Sequence, residues 1–302
     1  MTVWAALPLL LGAQTTGMER VLNQTGAHAE IVFDLLETRL ASVDLSILVQ
    51  SSDLEYRHQI SSLIDKVADD ALDLNRGLQH LSAKITSGFD RILLTNEHLY
   101  QLLRNSPIPP GRMLDVQFCY SSSKPHDNQA CLIQPPYPDI ARAYERALQT
   151  YEGVLRELIQ CSADSLAKAA VLDADLVSTM NIVAWEKFGV DLAQQERGLG
   201  LLWKLLGGNR RHLASLARNA NILNRVGDHS AKTLRYVRTI QDTLEGMEEH
   251  LHELRLVASG AMVAEAAPPE VILRMLARGL ERLGSARIGD SERQVSKLVD
   301  PL

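Results

Sequence analysis

The sequence predicts an all-α protein: an elongated antiparallel bundle of four long helices with coiled-coil-like packing, one long loop and a short C-terminal helix. Three observations carry that prediction. Between residues 60 and 102, one set of positions reads Ile60, Val67, Leu74, Leu81, Gly88, Thr95 and Leu102, and a second reads Ile64, Ala71, Leu78, Ile85, Ile92 and Leu99. The two sets alternate in steps of four and three, which gathers them on one seam, while Asp65, Asp69, Asp73, Arg76 and Lys84 lie between them. A strip of that length has to be covered by other helices, because a lone helix leaves it in water. The second observation is composition: only 5% of the chain is aromatic, and Leu and Ala are abundant, which favours helix. The third is punctuation, since Ser51-Ser52-Asp53, Pro107 to Gly111 and Gly207-Gly208-Asn209 divide the chain into long periodic stretches.

The 302 residues suffice for two ordinary domains or one elongated one. A chain 46% hydrophobic and 23% charged is a folded one, too apolar for disorder. The formal net charge of −6 provides no global basic field, and no nucleic-acid partner is expected. Three cysteines are too few for a disulfide scaffold and leave the redox compartment open.

The first element is an apolar N-terminal segment, residues 1–15, containing Trp4, Leu7, Leu9, Leu10 and Leu11. It is too short to span a bilayer, which needs about 20 residues, and no Lys or Arg precedes it, as a signal peptide would require. Three readings stand: a poor signal peptide, the trimmed end of a longer membrane segment, or a tail packed on the bundle. A helical bundle follows over residues 16–257. Val21, His28, Ile31, Leu35, Val43, Leu45, Ile47 and Leu48 support a helix to Gln50. Ser52 followed by Glu55 has the form of a capping box for the next helix, which extends to about Arg104 and would be roughly 75 Å long. Pro107, Pro109, Pro110 and Gly111 end it.

Residues 105–138 form the one long non-helical stretch, and a loop of that length is usually functional or mobile. Val116, Phe118 and Tyr120 alternate with polar residues, and Cys119 and Cys131 would face one another across a small hairpin. They are either a disulfide or two unpaired thiols. Pro138 and Asp139 open the third helix, whose seam includes Ile140, Tyr144, Leu148, Tyr151, Leu155, Leu158, Leu172 and Leu176. Gly207-Gly208-Asn209 stops it, and a fourth helix spans about 210–257. Residues 258–302 comprise an Ala-rich linker, a short amphipathic helix over 270–287 and a polar tail.

Chemistry is sparse. Glu55 with His58, and Glu249 with His252, have the Glu-x-x-His form of di-metal bundles, but the predicted topology puts them at opposite ends. Neither cofactor nor metal is expected, and no catalytic residue stands out: no phosphate loop, nucleophile elbow or triad is recognisable. Asn23-Gln24-Thr25 matches the glycosylation sequon inside a predicted helix. Two surfaces attract attention instead. Leu199, Leu201, Leu202, Trp203, Lys204, Leu205 and Leu206, with Arg210 and Arg211, make an apolar, basic-flanked tip, suited to a membrane interface or to capping by the 51–53 turn or the N-terminal tail. Arg274, Arg278 and Arg282 stack at intervals of four on one face of the final helix, to meet an anionic surface or the acidic exterior of the bundle.

The stretch Asp34-Leu35-Leu36-Glu37-Thr38-Arg39-Leu40, the run Arg76-Gly77-Leu78-Gln79-His80-Leu81, and Leu205-Leu206-Gly207-Gly208-Asn209-Arg210-Arg211 resemble a group of uncharacterised fungal long-helix proteins. The resemblance implies an N-terminal membrane segment and no particular activity. This sequence departs from the group in having only a short apolar N-terminus. The expectation is a non-enzymatic structural or interaction protein, associated with membranes, meeting a protein partner or itself through helix faces. One alternative is a membrane-active protein with its apolar tip at 199–206. Another is a metal-binding bundle.

Overall fold

The computed structural model describes residues 3–105, 138–185, 214–259 and 269–299. Among them there are six helices and no strand: α1 (Val3–Thr25), α2 (His28–Gln50), α3 (Arg57–Asn105), α4 (Pro138–Trp185), α5 (Ala214–Ser259) and α6 (Pro269–Val299). The protein is an all-α bundle. The apolar N-terminal residues are helical from Val3 onward. The helix expected over 16–50 is two helices, because the chain turns at Gly26 and Ala27. Glycine is a poor helix former, and α2 starts without a side-chain cap on its first turn. The final helix extends to Val299, beyond the 287 expected from its apolar positions.

The turn after α2 lies where expected but is built differently. The Ser52 hydroxyl donates backward to the Val49 carbonyl at 2.6 Å, and the Ser51 hydroxyl donates to the Leu48 carbonyl at 3.0 Å. The Ser51 hydroxyl thus satisfies a carbonyl left orphaned at the end of α2, while the Val49 carbonyl also accepts the Ser52 N–H at 3.1 Å. The Ser52 hydroxyl also accepts from the Leu54 N–H at 3.5 Å, and α3 begins only at Arg57, whose guanidinium donates to the Ser52 carbonyl at 3.1 Å.

The chain divides into two compact units. One comprises Met1–Glu19, Gly88–Leu155 and Gly246–Ala286. It buries Leu7, Leu10 and Met18 of α1, Phe89, Ile92 and Leu99 of α3, Tyr144 and Tyr151 of α4, Leu251 of α5, and Ile272 and Leu276 of α6. A buried polar pair joins α1 to α3, where the Asn96 amide donates to Gln14 Oε1 at 2.8 Å. At Gly88, an added Cβ would stand 2.6 Å from Val154 Cγ1, so the missing side chain lets α4 come close.

The other unit comprises Arg20–Ser87, Arg156–Glu245 and Arg287–Leu302. Here α3 and α4 are antiparallel, since Lys66 meets Asp175, His80 meets Cys161 and Lys84 meets Glu157. Likewise α2 is antiparallel to α3, with Ser46 bonded to the Ser61 carbonyl and Asn75 to the Val32 carbonyl. On its other flank α2 meets α5, through Lys232 with Glu30 and Asp34 and through the His28 and Tyr236 rings. The ring of four closes between α4 and α5, where the Ser230 hydroxyl donates to Asp173 at 3.2 Å. Its core includes Ile31, Leu35 and Leu45 of α2, Ile60 to Leu78 of the α3 seam, Leu172 and Leu176 of α4, and Val226 and Val237 of α5.

The seam of α3 is buried as expected through Ile85 and then slips by one residue. Phe89, Asn96 and Leu103 are buried where Gly88, Thr95 and Leu102 continue the original count, and Thr95 and Leu102 are half-exposed. Two successive steps of four, from Leu81 to Ile85 to Phe89, realign the strip with a helix of 3.6 residues per turn.

Candidate interaction surface

The most distinctive surface is the outward face of α2. Its buried face mixes small and large residues: Thr38, Ala41, Ser42 and Ser46 accompany Ile31, Leu35, Leu45 and Val49. A second apolar set faces solvent, with Phe33 52%, Leu36 37%, Leu40 63%, Val43 39% and Ile47 62% exposed. The steps along that set are three, four, three and four, the rhythm of a helix–helix seam. Two faces are therefore apolar on one helix, and two neighbours, α3 and α5, occupy only one of them. Small residues let α2 approach closely enough for the Ser46 hydroxyl to reach the Ser61 carbonyl, at 3.4 Å, whereas larger side chains would overfill the space. The sequence pattern groups Val43 and Ile47 with Leu45 and Leu48 as helix-forming positions and does not say which of them face inward. The signal that separates them is the spacing to Phe33, Leu36 and Leu40.

The charges bordering this stripe are mostly acidic. From His28 to Gln50, α2 carries Glu30, Asp34, Glu37 and Asp44 against a single cation, Arg39. Lys232 of α5 binds Glu30 and Asp34.

A second constellation lies between α3 and α4. Lys66 Nζ stands 2.9 Å from Asp175 Oδ2 and 3.1 Å from Oδ1. Asp70, one turn along α3 from Lys66, hydrogen-bonds the same carboxyl. Burial pushes the Asp70 carboxyl up to about 6, reinforced by that bond and by the charges of Asp175 and Asp73, while Lys66 opposes the shift. Burial alone would raise Asp175 too, but its bonds to Asp70 and Lys66 hold it below the usual carboxylate range. Ionised together, the two acids leave Asp70 Oδ2 buried without a donor. Below about pH 6 the proton held by Asp70 supplies it. The motif is two residues from distant helices, 105 positions apart, which pattern reading does not connect.

Cys161 of α4 lies 3.4 Å from His80 Nδ1 of α3. Burial pushes its thiol up, with Asp164 and Glu157 adding to the effect against Lys84. The pair therefore lacks the depressed thiol of a nucleophilic cysteine.

Of the sites singled out in the sequence, Leu199, Leu201, Leu202, Trp203, Lys204, Leu205, Leu206, Arg210 and Arg211 lie outside the described residues, as do Cys119 and Cys131. Arg274, Arg278 and Arg282 are all exposed on α6. They do not act alike: Arg282 forms a fork onto both carboxylate oxygens of Glu19 on α1, and Arg274 Nε donates to its own helix at the Glu270 carbonyl. The two Glu-x-x-His pairs fall in different units, Glu55 and His58 in one, Glu249 and His252 in the other. Among the described residues, no three His, Cys, Asp or Glu side chains gather to hold a metal ion. No described helix is long and apolar enough to cross a membrane. In the sequon, Asn23 is exposed, while the Thr25 hydroxyl is buried and donates to the Leu22 carbonyl at 2.7 Å.

No family model matches the sequence. Neither a curated protein nor a solved structure matches it.

Proposed function

We propose that this is a non-enzymatic interaction protein, a scaffold of long helices that meets another protein through the outward face of α2. The observation that carries the reading is the stripe Phe33, Leu36, Leu40, Val43 and Ile47, apolar, exposed and spaced as a helix seam. Contiguous exposed apolar surface of this kind marks contact sites, whereas single exposed leucines do not. The bordering charge favours protein over anionic lipid, because interfacial membrane helices carry Lys and Arg beside their apolar face. A photo-crosslinking residue at Leu40, in cells making the protein, is expected to give protein adducts that the same residue at Asp69 on α3 does not. Equal labelling at the two positions would refute the reading.

Membrane association is a second reading, supported by the sequence of the 199–206 segment with Trp203 and Lys204. It predicts co-sedimentation with anionic vesicles that Trp203→Glu abolishes. Binding by neither form would remove it.

A further inference from the structure

We propose that the occupant of the α2 face is a second copy of this chain, the two α2 helices pairing in parallel and in register. The inference rests on the interaction reading above and names its partner. A stripe repeating in steps of three and four is best covered by another with the same steps, since each side chain then enters a gap between four on the facing helix. A second copy supplies that match at every layer: Phe33, Leu40 and Ile47 alternate with Leu36 and Val43, and each would meet its own counterpart. Among the described residues no other helix exposes five large apolar side chains; α4 shows three, Val171, Val177 and Met180.

The bordering charges choose the direction. In a parallel pair, residues on the two sides of the seam face across it with an offset of five. Arg39 then lies opposite the second copy's Asp44, and the two-fold axis repeats that pair. An antiparallel pair centred on Leu40 sets Arg39 beside the second copy's Arg39, and Glu37 beside its Asp44. Like charges so placed oppose association and suppress the wrong register. The only small polar groups on α2, Thr38, Ser42 and Ser46, are on its other face, so the seam itself buries no hydroxyl.

The test uses the full chain. Light scattering after size exclusion, over a dilution series, is expected to return twice the 33.4 kDa chain mass. Leu40→Glu and Ile47→Glu are each expected to return the single-chain mass with unchanged helical circular dichroism, because both positions are mostly exposed and outside the core. Orientation is read by oxidation of Phe33→Cys in a background carrying Cys119→Ser, Cys131→Ser and Cys161→Ser. A parallel pair gives a disulfide-linked dimer from Phe33→Cys alone. A wild-type chain of single mass at every concentration overturns the proposal, as does a dimer that both Glu variants retain. Crosslinking only between Phe33→Cys and Ile47→Cys chains overturns the parallel arrangement. A single-mass chain whose Leu40 still labels a different protein ends the homodimer and leaves the interaction reading standing. Absence of protein adducts ends both.

Discussion

At the scale of single residues, the polar groups inside the bundle invite the sharpest tests. Asn96 occupies a seam position and donates to Gln14. Asn96→Leu leaves the buried Gln14 amide without its partner and is expected to destabilise the fold by about 1–3 kcal/mol. The double variant with Gln14→Leu should recover most of that loss, and urea unfolding of the four members of the cycle measures it. The Asp70–Asp175 pair makes stability depend on pH. A carboxyl whose folded value is about 6, against about 3.9 unfolded, binds its proton more tightly in the native state. Its contribution is complete below the unfolded value and is lost as pH rises through the folded one. Asp175 acts in the opposite sense, its contribution disappearing as pH falls through its depressed value. Stability from the pair therefore peaks near the unfolded carboxylate value, about pH 4. Wild type should lose stability between there and neutrality. Asp70→Asn, whose amide donates to Asp175 at every pH, should flatten that slope and be the more stable form at neutral pH. Melting across the range decides it. None of this was legible beforehand: a lone Asp or Asn at a helix edge has the same pattern whether it is solvated or paired with a helix far away in sequence.

At the scale of elements, the long helices were readable and their fine register was not. The strip of α3 was visible because large apolar residues repeat without interruption through Ile85. Its slip at Gly88 was hidden, since Thr95 and Leu102 are plausible seam residues and only close packing shows that Phe89, Asn96 and Leu103 take the interior. The double role of Ser52 was hidden for a related reason, because a serine between two helices can serve either one, and here its hydroxyl donates to the Val49 carbonyl of α2 and accepts the Leu54 N–H. Glycines give the element-level prediction. Gly227, exposed within α5, has nothing within 4 Å of an added Cβ, whereas Gly88 faces Val154. Gly227→Ala should stabilise the protein by about 1 kcal/mol. Gly88→Ala gains the same propensity but overfills the contact, at about 1–3 kcal/mol, and should be net destabilising until Val154→Ala makes room. Thermal denaturation of the three variants separates the effects.

At the scale of the whole molecule, α3, α4 and α5 each contribute residues to both compact units, so the boundary between units is not a linker that sequence punctuation marks. The proposed pairing makes stability depend on the chain's own concentration, as for any fold linked to association. The melting temperature of wild type should rise with protein concentration, and that of Leu40→Glu should not. The order of synthesis adds a consequence. α2 leaves the ribosome before α3 and α5 exist, and its outward stripe has no described partner within the chain even after they arrive. Neighbouring ribosomes on one message present that stripe to each other while the chains are still growing. Subunits would then be matched by the message that encoded them, and two differently tagged copies made in one cell would mix less than random assortment allows.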